Sequence, residues 1–519
     1  MLPRLLSTTR RLSTRALAAA PLKVANGAPP SNFFAAAAMA LTAAAAATAI
    51  AETTSVTKCD SMEDFRLKAL TPLDGRYGSR VADLGDYFSE YALIKYRVMV
   101  EVEYFIELCS LLPQLQGKAG IDAANLESLR DVYRNFNTKD ALEVKAIEAV
   151  TNHDVKAVEY FLKKHFDALG MGEHKEFIHF ALTSQDVNNV AQPLMMKDAI
   201  TNVYLPAIKK LTAELKAAAL QWDSQPMLAR THGQPATPTR MGKEIMVFVE
   251  RLEAQVAVLE GISLGCKMGG ATGNCAAHSV AFPDIDWEEK LTKLTGRLGL
   301  VRPKYTTQIA HYDDVAEVCD CLSRVNTVLI DLCRDMWQYV ALGYFTQTIK
   351  KNEVGSSAMP HKVNPIDFEN GEGNFGVANA LFGHLSAKLP ISRLQRDLTD
   401  STVLRNAGVP FGHSLIGIKS TSRGLGKMNL NAKALNKDLD ANWAVVAEAV
   451  QTVLRREAYP QPYEALKELT RVPGGITESA IRDFVLGLKG ISPSVRAELL
   501  AISPHNFTGK AFVKDHRTK

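Results

Sequence analysis

Residues 315–342 contain neither glycine nor proline, and Val315, Val318, Leu322, Val325, Leu329, Leu332, Met336 and Val340 recur there every three or four positions. That spacing marks one face of an α-helix. At 1.5 Å rise per residue such a helix spans roughly 40 Å, so it needs comparably long partners to cover its stripe. Two other segments supply them. Residues 203–222 place Leu205, Ile208, Leu211, Leu215, Ala219 and Trp222 on one face, and residues 242–262 do the same with Ile245, Phe248, Val249, Leu252, Val256 and Leu259. Long amphipathic helices pack most simply as an elongated bundle, and faces this broad predict that copies of the chain share it. The expected fold class is all-α and oligomeric.

A chain of 519 residues exceeds one compact core. Glycines at 117–120 and 170–172 and the segment 417–427 (GIKSTSRGLGK) punctuate it. They predict three helical domains: an N-terminal one over 61–172, the central bundle over 173–425 and a C-terminal one of shorter helices over 426–519. Residues 1–60 read as a targeting leader with an Ala-rich linker. Through residue 51 there are five basic residues (Arg4, Arg10, Arg11, Arg15, Lys23) and no acidic one, as in organellar transit peptides, and Pro29-Pro30 interrupts any helix. Mitochondrial import is the first expectation and plastid import the alternative, with cleavage near residue 20 or residue 51 left open. Residues 35–51 are uncharged but dominated by Ala, short of the ~20 strongly apolar residues of a membrane span. A start at Met62 gives an untargeted, cytosolic form.

Beyond the leader, 55 basic residues balance 56 acidic ones, so the body has no net charge to attract nucleic acid. Seven cysteines, odd in number and without paired metal-ligand spacing, argue against a disulfide framework or a zinc module. No GxxxxGK[ST] loop, GxGxxG after a strand, or HExxH occurs; GGATG at 269–273 reads as a tight loop beside the active region.

Six polar segments interrupt the helical pattern with functional side chains and are expected to be loops: TPLDGRY (71–77), TNHD (151–154), TSQDVNN (183–189), RTHGQPATPT (230–239), GSSAMPHKVNPIDFEN (355–370) and RLQRDLTDSTVLR (393–405). Together they resemble the fumarase/aspartase/argininosuccinate lyase superfamily, which shares a TSxD-like loop, a TH-containing loop and the signature GSSxMPxKxNP. Residues 355–365 fit that signature at every fixed position. With His361 in its variable place, DGRY near the start, NHDVKAVEYFL at 152–162 and RTHGQPATPT, the chain is similar to the bacterial-type adenylosuccinate lyases from about residue 70 to its C-terminus.

The resemblance implies β-elimination of fumarate from adenylosuccinate, giving AMP, and from succinylated aminoimidazole carboxamide ribotide, giving AICAR, steps of AMP and IMP biosynthesis. It implies Ser356 as general base and His232 as general acid. A serine hydroxyl needs Lys362, loop amides or a helix N-terminus to stabilise its alkoxide. The leaving nitrogen needs an acid titrating near neutrality, for which histidine is suited. His153, between Asn152 and Asp154, is the competing acid, and the resemblance otherwise places Asn152, His153 and Asp154 in substrate binding. Arg76 and Tyr77 are expected at the phosphate or ribose, joined by Arg396, Ser401 and Arg405, because guanidinium groups grip phosphate and carboxylate in two-point contacts. Thr183 and Ser184 are expected at one substrate carboxylate, Lys362 and Asn364 at the other, and Gln308 and Asn370 at the succinyl or base portion. The family's homotetramers build each site from three subunits. No metal or organic cofactor and no membrane or nucleic-acid partner is implied. The rival readings are another lyase of the superfamily, for which the DGRY and STVLR blocks are superfluous, an inactive helical scaffold, and a nucleic-acid-binding helical protein.

Overall fold

The computed structural model describes residues 62–348, 359, 362–469 and 476–510. The helix Met62–Lys68 starts in a first unit that ends at Leu67, and the fold below belongs to the second, which starts at Lys68. The leader and linker expected at 1–60 lie outside the described residues, as do Ser356 and His361.

Among the described residues, the second unit is all-α apart from two small ribbons. Its helices include α1 (Glu90–Leu111), α2 (Thr138–Thr151), α3 (Asp154–Ala168), α4 (Ser184–Ala199), α5 (Leu205–Gln221), α6 (Met241–Gly261), α7 (Asp313–Ala341), α8 (Ile366–Lys388), α9 (Thr399–Leu404) and α10 (Gly408–Leu425). Helix α7 is the uninterrupted run seen in the sequence; its stripe from Val315 to Met336 is buried and Val340 lies partly buried at its end. The stripe faces α6 and α8, α8 packs on α10, α10 on α5 and α5 on α6, closing a ring of five helices around one apolar core. Removing these faces from water, at about 25 cal/mol per Å² of apolar surface, is what drives the assembly. Helix α4 packs against α1. A separate, smaller core gathers Val446, Val450, Leu454, Ile481, Val485 and Leu499 from helices that include Ala447–Arg456, Glu478–Gly487 and Pro493–Ala501.

Several segments expected as loops or breaks are ordered differently: residues 366–370 already belong to α8 and residues 399–404 form α9. Residues 417–425 continue α10, because Gly417 sits where Phe375 of α8 crosses; a Cβ there would stand 2.7 Å from that ring's Cδ1. Residues 184–189 begin α4, because Thr183 is its N-cap and its backbone N–H donates to the Asp186 carboxylate at 2.7 Å. T-x-x-D was readable as a capping box. Residues 226–240 form an antiparallel hairpin of β1 (Pro226–Thr231) and β2 (Gln234–Arg240). The other ribbon pairs Phe345–Gln347 with Met428–Leu430. Among the described residues no helix is long and apolar enough to cross a membrane.

Candidate active site

A cavity of about 500 Å³ opens between the starts of α1, α3 and α4 and the segment around α9. This lies within the size range of ligand pockets, about 300–1,000 Å³. His153, Asp154, Ser184, Arg396, Ser401 and Arg405, all expected from the sequence, line it, together with Arg97 and Asn188.

Local backbone rules explain the TNHD block. Asn152 ends α2 in the left-handed conformation (φ 53°), which asparagine tolerates, and His153 caps α3 by accepting from the Lys156 N–H through Nδ1 at 3.1 Å. That bond leaves Nε2 to carry the proton of the neutral ring. Asp154 opens α3, and Ser184 opens α4; the N-terminus of a sixteen-residue helix favours an anion beside Ser184.

The wall opposite these helix starts is cationic, and each cation meets a carboxylate. Arg97, 2% exposed, donates to Asp154 at 2.7 Å and to Asn188 at 2.8 Å. Arg405 donates to Glu90 at 2.8 Å and to Asp154 at 3.4 Å. Arg396 donates to Ser401 at 3.1 Å and to the Gln308 side chain at 3.4 Å, with Asp400 3.7 Å away. Burial works against the charged form of Asp154, but Arg97 and Arg405 outweigh it and hold the carboxyl below its ordinary range. Desolvation likewise pulls Arg97 down despite Asp154. The cavity therefore balances its guanidinium groups internally, and an incoming phosphate or carboxylate competes with Glu90 and Asp154 for two-pronged donors.

The remaining expected residues fall elsewhere. Asn370, on α8, donates to the Tyr77 hydroxyl at 3.1 Å and accepts from Ser420 at 2.8 Å, while the Arg76 guanidinium stands 5.9 Å from the Tyr77 ring centroid. Lys362 is exposed, its backbone N–H bonded to the Met359 carbonyl at 3.0 Å, and Asn364 lies two residues before α8. His232 occupies the tip of the hairpin: Thr231 pairs with Gln234, and His232 (φ 54°) and Gly233 (φ 76°) make the two-residue turn. Two positive φ values suit the twist of a hairpin, which is why this polar segment forms strands. Its strands are tied to the C-terminal part by Arg230, one pair below the turn, to Asp438 at 2.7 Å and by Thr237 to Glu448. His232 is exposed and is not one of the residues lining the cavity.

Comparison with known proteins decides the family. A family model described as Lyase matches residues 75–379, and one described as Adenylosuccinate lyase C-terminal matches residues 392–508. The chain is 57% identical over 456 residues to the adenylosuccinate lyase of Dictyostelium discoideum, covering 85% of this chain and 97% of that one. Against the adenylosuccinate lyase of Escherichia coli (strain K12) it is 46% identical over 451 residues, covering 87% and 98%. The chain belongs to the adenylosuccinate lyase family. Its fold also matches a fumarate lyase from Mesorhizobium sp. BNC1 (TM-score 0.65, 20% identity, 83% of this chain and 95% of that one). A 3-carboxy-cis,cis-muconate lactonizing enzyme from Pseudomonas putida matches with the same TM-score at 21% identity, over 83% and 94%. Within this adenylosuccinate lyase family member, sequence reasoning overlooked Arg97 and Gln185. Arg97 and Glu101 stand in the stripe Leu93, Arg97, Glu101, Tyr104, Leu108 of α1, and charges at core positions are a readable signal. Gln185, treated as a variable position, is buried among Arg396, Asp400 and Ser401; with its oxygen turned to Arg396 it accepts from Nε at 3.2 Å.

Proposed function

We propose that the chain releases fumarate from adenylosuccinate, giving AMP, and from succinylated aminoimidazole carboxamide ribotide, giving AICAR. It is a carbon–nitrogen lyase. The observation that carries this reading is the cavity in which Arg396, Ser401 and Arg405 face the helix starts at His153 and Ser184, in a chain 57% identical to a curated adenylosuccinate lyase. Ser401, Arg396 and Arg405 receive the phosphate, and Thr183 and Ser184 a succinyl carboxylate. Arg76, Tyr77, Asn152, Gln308 and Asn370 hold the nucleotide and base portions.

Ser356 removes a proton from the succinyl carbon next to a carboxylate, and the resulting aci-carboxylate is stabilised by Lys362, Asn364 and amide donors. The electron pair then forms the carbon–carbon double bond as the C–N bond breaks. His232 protonates the departing nitrogen, with His153 as the alternative acid. One proton leaves carbon and one reaches nitrogen, so the reaction balances without a cofactor.

His232 on an exposed hairpin tip supports a site shared between copies, the hairpin of one completing the cavity of another within a homotetramer. The separate apolar core of residues 446–499 supports a C-terminal domain after residue 425. The acid-free leader supports import into the mitochondrion, with plastid import as the alternative and a cytosolic form from Met62. An absorbance assay on the chain from Met62, with argininosuccinate and malate beside adenylosuccinate, tests the reading. Turnover of adenylosuccinate alone is expected; turnover of argininosuccinate or malate alone contradicts it.

A further inference from the structure

Beneath the cavity lies an ion pair that the elimination does not use. Asp186 and Lys267 are both wholly buried, with Oδ1 2.7 Å from Nζ. The carboxylate also accepts from three backbone amides: Thr183 at 2.7 Å, Gly269 at 2.7 Å and Gly270 at 3.1 Å. Lys267 in turn donates to the Gly270 carbonyl. One carboxylate thus ties the start of α4, with Thr183 and Ser184, to the glycine loop at 269–273.

That loop is itself wedged against the phosphate side. A Cβ on Gly273 (φ 79°) would stand 2.6 Å from the Thr307 carbonyl oxygen, so glycine is required for the approach. Its neighbour Ala271 accepts from the Gln308 side-chain amide at 3.1 Å, and the same Gln308 side chain accepts from Arg396, which donates to Ser401. The contacts run without a gap from Thr183 to Ser401. Burial pulls Lys267 towards its neutral form and Asp186 opposes that pull. A lysine and an aspartate at zero exposure are rare unless held as a pair.

We infer that Asp186 and Lys267 are positioning residues that fix the separation between the Thr183–Ser184 carboxylate site and the Arg396–Ser401 phosphate side, which the loop reaches through Gln308. The inference rests on the proposed assignment of those two ends. A substrate carrying succinyl and phosphate groups on one skeleton gains from two sites preset at the right spacing, whereas each product touches one end and gains nothing.

The test uses Asp186→Asn combined with Lys267→Met, which removes both charges together and so leaves no unpaired buried ion. The melting temperature, kcat and KM for adenylosuccinate, and the separate inhibition constants of fumarate and AMP are measured on the intact chain and on the double variant. The expected result is a folded variant whose kcat/KM falls on the order of 10²-fold, since small misplacements remote from the chemistry have that effect. Both product constants should stay within about twofold. Loss of all three in parallel, or of none, overturns the inference. Should the double variant not fold, Asp186→Glu keeps the charge and moves the tie by one methylene. A roughly tenfold rise in KM with unchanged product constants supports the inference, and an unchanged KM overturns it. An intact chain that releases no fumarate refutes the proposed function instead.

Discussion

The cavity wall and the hairpin tip are built by opposite means. Arg97 on α1 and the pair Arg396 and Arg405 around α9 converge from two distant parts of the chain; Asp154, Gln308 and Glu90 hold them from across the fold and Ser401 holds Arg396 locally. His232 is placed by two residues of local turn geometry and projects from its own strands into solvent. The two regions divide the labour. Arg396 and Arg405, the groups proposed to bind the phosphate, are gathered with Arg97 by packing within one copy, and the proposed acid is mounted on a short ribbon that reaches outward. A two-stranded ribbon is marginal by itself, so its ties to Asp438 and Glu448 are what make the reach dependable.

Substitutions at the two regions should separate accordingly. His232→Ala is expected to lower kcat by about 10²–10⁴-fold with KM within a few-fold, because it removes proton transfer and leaves the cavity intact. His153→Ala should do the reverse, raising KM with kcat within about tenfold; steady-state kinetics decide, and a larger kcat loss at His153 transfers the acid role to it. Arg97→Met leaves Asp154 without its buried partner and should destabilise the chain by about 3 kcal/mol in urea unfolding. Arg405→Met, at a half-exposed position, should leave the unfolding midpoint nearly unchanged and raise KM.

The buried frame beside the cavity has its own pH signature. His278, fully buried against Tyr104, is pushed down to about 4 by desolvation. The native ring stays neutral while the unfolded one takes up a proton near 6.5, so its contribution is complete above about pH 6.5 and is lost as pH falls towards 4. The loss should approach roughly 3 kcal/mol, and His278→Phe should flatten the stability–pH curve over that window. The smallest effect belongs to the hairpin: Gly233→Ala places a Cβ at φ 76°, in open space, and should weaken the turn by about 1 kcal/mol, read as a modest drop in kcat at unchanged KM.

Legibility in the sequence followed the same division. The α7 stripe, the α5 and α6 faces and the TNHD helix break depend on neighbours three or four positions away, and the polar blocks carried the family resemblance directly. The hairpin was missed although its cause is local: a His-Gly pair with two positive φ values is a weaker turn signal than Asn-Gly. The Asp186–Gly269 contact joins residues 83 positions apart, and no local pattern reports which buried lysine a TSxD carboxylate will meet. Arg97 stood on an apolar face and was readable as a buried cation, but its partner was not.

The proposed shared site requires that one copy supply the acid to a cavity that another copy builds. Chains carrying Ser356→Ala and chains carrying His232→Ala, each inactive alone, are unfolded together, refolded as a mixture and assayed for fumarate release from adenylosuccinate. The mixture is expected to regain activity, because mixed assemblies contain sites with both groups intact. A mixture that forms mixed assemblies and remains as inactive as its components would place both groups in one copy and contradict the claim.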